Sequence, residues 1–417
     1  MNSRMIALFR NFLFVFPIIS VAQGSTHNTI YDFAAPGTGD GMQPFSVPVL
    51  DSQGNLYATT MLGGTHNAGT IFELSPTGNN QWVETILYEF TGGTDGGYPV
   101  AGLTFDSSGN LYGTGGFGGA NGTGVVFELS PQSTGWSYTV LYSFGTYPTS
   151  GDGFAPNSPL VFDSNGNMYG ITNEGGGDTG CFGGCGTVFE LSPNGRGGWT
   201  EQVIHKFAST ADGQFPTGGV TFGTDGNLYG TTTNGGTANS GVLYQLQYST
   251  STQNWTENII HNFVGGTNDG SFPTNVILIS DRKGNLYGTT DGGGSHGFGT
   301  VFEMRRSGGN ARKSKILYSF NATYSGDGNS PHAGVIMDTT GNLYGTTFYG
   351  GAANYYGTVY KLSKAKGKWS ETVLYSFTGG TDGFYPQAGL ALSNGWLYGT
   401  TDLGGNNSGA VYQNSAP

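Results

Sequence analysis

The most regular chemistry in this chain belongs to its aspartates. A pattern Asp-Gly-x-x-Pro recurs with its acids at Asp40, Asp95, Asp152, Asp212, Asp269, Asp327 and Asp382, and its prolines at Pro44, Pro99, Pro156, Pro216, Pro273, Pro331 and Pro386. Two chemistries suit such a spacing. In a turn, Asp accepts backbone N–H bonds, Gly supplies a positive φ and Pro fixes the entry to the next strand. By analogy with helix caps, such an Asp is worth on the order of 1 kcal/mol. As a ring above the axis of a closed array, the same carboxylates can hold Ca²⁺ or hydrogen-bond a polyol. Sevenfold recurrence favours the turn, because a catalytic centre normally breaks symmetry.

Positions that do break the symmetry lie in a second, variable loop set. They include His66 and Asn67, Phe117, Asn173 and Glu174, Asn234, Asp291, His296 and Phe298, Phe348 and Tyr349, Asn354 to Tyr356, and Asp402. Aromatic rings beside Asn and Asp can stack on a sugar and hydrogen-bond it. His332, directly after Pro331, is the one histidine expected to approach the axis. His205 and His261 stand in a slot that Tyr88, Tyr142, Tyr318 and Tyr375 fill elsewhere, which is a structural position. The catalytic motifs are weak. "GGSHG" at 293–297 fits G-x-S-x-G, but it lies between strands, whereas a nucleophile elbow needs a strand-to-helix turn. "GGGDTG" at 175–180 lacks the helix whose N-terminus would hold phosphate. Paired carboxylates can form a glycosidase site, provided the fold sets their separation.

The elements that carry these residues repeat. The tyrosine of the GNLY-type motif falls at Tyr57, Tyr112, Tyr169, Tyr229, Tyr287, Tyr344 and Tyr398, with gaps of 55, 57, 60, 58, 57 and 54 residues. Each copy holds four short runs, rich in β-branched and aromatic residues and bounded by Gly, Pro, Asn or Asp, with no helical period. Four antiparallel strands per repeat predict an all-β, seven-bladed β-propeller. The last copy stops after its third strand, and "NTIYDF" at 28–33 matches the fourth strand "ETVLYSF" at 371–377. The N-terminal strand is therefore expected to complete the last blade and remove an open edge. Ala- and Gly-rich runs such as "VAGL" suit the crowded inner strand. Trp82, Trp136, Trp199, Trp255 and Trp369 open the outer strands and should wedge between blades.

Composition narrows the partners. The chain has 417 residues, 77 of them glycine, with 10% charged residues and a net charge of −12, which argues against a polyphosphate partner such as nucleic acid. The one basic cluster, "RRSGGNARKSK" at 305–315, reads as a solvated turn. Residues 1–22 read as a secretory signal peptide, with Arg4 and Arg10 before the apolar run from Phe12 to Val21. Residues 23–417 then form one propeller domain, and no other segment reads as a membrane span. Cys181 and Cys185 in "CFGGC" are candidates for a local disulfide worth about 2 kcal/mol.

"GNLYGTT", "GTVFELSP" and "ETVLYSFTGGTDG" resemble the GloVer tandem repeats of secreted bacterial proteins, the choice-of-anchor group. That resemblance implies export and a repeat array. The expectation is a secreted or cell-surface monomer, with the periplasm as a further location. It would bind or scaffold, with a polysaccharide or another surface protein as partner. The alternative is an extracellular carbohydrate-active lyase or hydrolase working at the axial mouth. Apart from Ca²⁺ on the acidic ring, no cofactor is called for.

Overall fold

The computed structural model describes residues 25–146, 151–208, 211–307, 312–321, 326–352 and 355–417; the leader expected at 1–22 lies outside them. Turn-bounded β-branched runs give strands throughout, with no helix among the described residues. Seven antiparallel sheets stand in a ring as a seven-bladed propeller. Blade 1 runs outward through Val49–Leu50, Leu56–Thr60, Thr70–Gly78 and Gln81–Glu89. Blades 2 to 6 follow the same order and end on outer strands Trp136–Ser143, Trp199–Lys206, Asn254–Asn262, Arg312–Ser319 and Lys368–Ser376.

Blade 7 is built from both ends of the chain. Ala391–Ser393, Trp396–Thr401 and Ala410–Ser415 are completed by His27–Asp32, which pairs antiparallel to Ala410–Ser415. Thr29 faces Tyr412 and Tyr31 faces Val411, so Ile30 is the extra residue of a bulge. The N-terminal strand then joins the next interface: Ile30 and Phe33 pack with Leu56, Phe72 and Leu74 of blade 1.

The inner strands are shorter than their apolar runs suggest. In six blades only two or three residues of the run pair with the neighbouring strand. Pro and Gly interrupt the ladder there, and neighbouring blades supply partners instead. The Thr59 hydroxyl donates to the Pro99 and Ala101 carbonyls, Thr289 to Ala333, Thr346 to Ala388 and Thr400 to Ser46. The tryptophans wedge between blades as expected. Trp136 meets Tyr57, Trp255 meets Tyr169 and Trp82 meets Tyr398 edge-on at 5.8–6.2 Å. In blade 5 Arg312 holds the Trp position, with its guanidinium 4.6 Å from the Tyr229 ring centroid. One member of the basic cluster is thus a buried wedge, 3% exposed, rather than a solvated charge.

Adjacent blades are clasped by Gly and Pro. A Cβ on Gly69, Gly124, Gly186, Gly241, Gly299, Gly357 or Gly409 would stand 2.4–2.7 Å from Cδ of the next blade's Asp-Gly-x-x-Pro proline. The residue before each proline has φ between 53° and 60°, and none of the seven is glycine. The left-handed conformation costs energy for such residues, and a proline next in sequence narrows the choice further. The gain is a bond across the junction: the Tyr98 amide donates to the Ala68 carbonyl at 2.8 Å, and Gln43 to Ser408 at 2.8 Å. Gly241→Ala should therefore lose roughly 1–3 kcal/mol in chemical denaturation. Gly135→Ala, at a turn glycine with nothing within 4 Å of its Cβ, should lose less.

Candidate functional site

Every outer strand carries the same bulge. In blade 1 Tyr88 pairs with Ile71 and Ile86 with Phe72, leaving Leu87 as the extra residue. Its counterparts are Leu141, Ile204, Ile260, Leu317, Leu374 and Ile30. A bulge re-aims the side chain beside it, here a Tyr or His that is brought to the Asp-Gly-x-x-Pro aspartate. The hydroxyls of Tyr31, Tyr88, Tyr142, Tyr318 and Tyr375 donate to Asp40, Asp95, Asp152, Asp327 and Asp382 at 2.9–3.1 Å. His261 Nε2 lies 3.0 and 3.1 Å from the two Asp269 oxygens, and His205 Nε2 lies 3.6 Å from Asp212. Each carboxylate also accepts a backbone amide just past the outer strand, from Ala34, Thr91, Gly145, Ala208, Val264, Asn321 or Thr378, at 2.7–3.1 Å.

The structure therefore holds the seven aspartates at the outer strands, one per blade junction, and none of them lines the axial cavity. The favoured reading, turn chemistry, describes these acids, each of which accepts a backbone amide at the start of its connection; the alternative, a ring of carboxylates over the axis, does not, since each acid is held to an outer-strand side chain of its own junction. For Asp95, burial raises the pKa, but the hydroxyl and amide of Thr91 and the Tyr88 hydroxyl outweigh it and hold the carboxyl low.

A third side chain reaches each junction from the next blade's outer strand. It is Glu84, Tyr138, Glu201, Glu257, Ser314, Glu371 or His27, each two residues beyond the Trp position or its counterpart. Tyr138 stacks on Tyr88 at 3.9 Å and His27 on Tyr375 at 3.6 Å. Glu84 accepts from Tyr31 at 3.1 Å. Burial, with the facing Asp40, Asp152 or Asp327 carboxylate as second cause, pushes Glu84 up to about 7 and Glu201 and Glu371 to about 8. These glutamates are invisible as a group in the sequence, since only register places them opposite the aspartates.

Along the axis, the inner runs enclose a cavity of about 260 Å³ lined by Val47, Val100, Asn157, Asn275, Ala333 and Gln387, among others. It is smaller than the roughly 300–1,000 Å³ that enclose a typical small ligand. Ala333 rather than His332 faces it. His332 turns to the rim, where Nε2 lies 3.0 Å from Asp291 Oδ1 and the ring stacks on Phe348 at 4.5 Å and 14°. Phe348 stacks in turn on Tyr385 at 4.7 Å and 18°. Tyr349 meets both edge-on, and Tyr356 and Phe384 extend the cluster. Tyr349 is 40% exposed. Beside this shelf, Gln387 donates to Asp402 at 3.2 Å, and burial raises Asp402 to about 6.

The other variable loops are scattered. His66 is exposed and bonds its neighbour Thr65, and Phe117 stands half-exposed against Tyr98 and Phe154. Cys181 and Cys185 are disulfide-bonded and close a loop whose Phe182 is 97% exposed. Asn354 lies outside the described residues. No helix among the described residues is long and apolar enough to cross a membrane.

A family model described as the Gloeobacter/Verrucomicrobia repeat matches residues 15–183 and 178–412. No curated protein matches the chain. Among solved structures, it is similar to a proposed oxidoreductase (glucose dehydrogenase) of Thermus thermophilus, at 14% identity and TM-score 0.43, covering 94% of this chain and 100% of that one. A luciferin-regenerating enzyme aligns at 12% identity and TM-score 0.42, covering 94% and 95%. A protein of unknown function from Dyadobacter fermentans aligns at 11% and 0.44, covering 94% and 99%.

The raised glutamates set a pH dependence. Their folded pKa values exceed the ordinary value of 4.5, so their contribution is complete below about 4.5 and is lost as pH rises through about 7 to 8. Melting temperature should fall between pH 5.5 and 8.5. The combined substitution Glu84→Gln, Glu201→Gln and Glu371→Gln should flatten that fall, by on the order of 1 kcal/mol per site at the alkaline end.

Proposed function

The chain belongs to the Gloeobacter/Verrucomicrobia repeat family, and we propose that its propeller is an exported, monomeric binding module that takes a carbohydrate on the aromatic shelf of blades 6 and 7. The shelf is the observation that carries this reading. It places six rings together, with Tyr349 outward, where other blades have unrelated side chains. The position of Phe348 holds Met61, Gly116, Asn173, Thr233, Asp291 and Asp402 in the other copies. Aromatic faces and edges pack on the C–H face of a sugar ring, while Asp291, His332, Gln387 and Asp402 offer hydrogen bonds beside them. The small axial cavity favours an extended chain lying across the rim over a buried monosaccharide. The signal-like leader and the Cys181–Cys185 disulfide support an oxidising location outside the cytosol.

A second reading, turnover of that carbohydrate, rests on Asp402. Its carboxyl is raised to about 6 by burial, which suits a general acid. A polysaccharide panel scored for both retention and released sugar ends distinguishes the two. Binding without product is expected, with retention weakened roughly tenfold in Phe348→Asp and in Tyr385→Ala. Both replacements already occur at equivalent positions, as Asp291 and Ala155, so folding should survive. Product formation lost in Asp402→Asn would establish the enzyme instead. Unchanged retention in both shelf variants would place the ligand elsewhere.

A further inference from the structure

Six of the seven junction aspartates bond the Tyr or His delivered by the bulge at 2.9–3.1 Å. The junction between blades 3 and 4 does not close. His205 Nε2 stands 3.6 Å from Asp212 Oδ2 and 3.7 Å from Glu257 Oε1, and the ligand atoms of all three residues lie within 4.8 Å of one another. Both His205 Nε2 and Glu257 Oε1 are sealed from solvent without a hydrogen-bond partner. The neighbouring junction shows what a closed His–Asp pair looks like. There His261 sits 3.0 Å from Asp269, and the third position is Ser314 instead of a glutamate.

We infer that His205, Asp212 and Glu257 form a divalent transition-metal site that clamps blade 3 to blade 4. The donor set, one imidazole nitrogen and two carboxylates, suits Zn²⁺ or a similar first-row ion better than Ca²⁺ or Mg²⁺, which prefer all-oxygen shells. Ligands about 2.0–2.2 Å from a tetrahedral zinc stand roughly 3.3–3.5 Å apart, so the two histidine–carboxylate separations of 3.6 and 3.7 Å need to contract only by tenths of an ångström, while the two carboxylates, within 4.8 Å of each other, close on the ion from a wider gap. The three ligands come from the blade 3 outer strand, the connection and the blade 4 outer strand, which no local turn could hold together. Charge agrees with this assignment. Two carboxylates, Asp212 and Glu257, face the same imidazole nitrogen, at 3.6 and 3.7 Å. A cation relieves that crowding of acids. Asp212 is 23% exposed, which leaves a side for entry and for a water ligand.

The test is calorimetric titration of the EDTA-treated, dialysed full chain with Zn²⁺, together with melting curves. Wild type should bind one equivalent and melt several degrees higher with Zn²⁺ than without. His205→Tyr should fold, because tyrosine fills this slot at five other junctions, and should lose both the stoichiometric binding and the shift. His261→Tyr should keep both. No stoichiometric binding by wild type, equal binding by His205→Tyr, or loss in His261→Tyr would each overturn the assignment. None of these results depends on the carbohydrate reading.

Discussion

The structure depends on one contact, repeated around the ring: an aspartate that ties the end of one blade to the start of the next. At six of the seven junctions its carboxylate bonds the outer-strand tyrosine or histidine, and at all seven it accepts from the backbone just beyond, which fixes the direction of the chain as it leaves a blade. Gly and Pro complete the clasp. A glycine on one blade leaves room for the proline ring of the next, and the left-handed residue before that proline trades backbone strain for an amide bond across the junction. Each interface needs all of these parts at once, so the pattern Asp-Gly-x-x-Pro varies little along the chain. Both termini enter the same arrangement. Tyr31 of the N-terminal strand bonds Asp40, and Gly409 near the C-terminus receives Pro44.

A scaffold this regular makes its exceptions informative. The third member of each junction is free to differ, and the chain uses that freedom for buried glutamates, stacked rings or a serine. Where histidine replaces tyrosine and glutamate stands opposite, the bond opens and a cation-sized set of donors remains. At the rim, the exception is aromatic: His332, Phe348 and Tyr385 belong to two adjacent blades and the connection between them, yet stack as one column. The Gly–Pro half of the clasp is kept at both exceptions, by Gly186 and Pro216 at the open junction and by Gly357 and Pro386 beside the shelf.

Much of the architecture is legible in the sequence because it is periodic. The seven tyrosines count the blades, and the match of 28–33 to 371–377 shows which strand closes the ring. The wedging tryptophans are readable from their place at the head of five of the seven outer strands. What escapes is set by register and by bulges. Leu87 and its counterparts look like ordinary strand residues, yet the bulges they form bring the next side chain to the aspartate of the junction. The position of His332 after Pro331 points to the axis, but its ring follows Asp291 and Phe348 to the rim. Glu257 lies 52 residues from His205 in sequence, and only the packing of two outer strands brings them together. Arg312 is hidden by its basic neighbours, although the missing tryptophan in that copy is a usable signal.

The junction closed by the two ends of the chain must be equivalent to those within it if the same contacts close every interface. Amide hydrogen exchange reads this directly. The Phe33 amide, bonded to the Gly409 carbonyl, and the Gln43 amide, bonded to Ser408, correspond to Phe90 on Gly69 and Tyr98 on Ala68. All four should exchange at a common slow rate set by global unfolding. Fast exchange at Phe33 and Gln43, with Phe90 and Tyr98 still protected, would show a ring that opens at its seam and would contradict the claim.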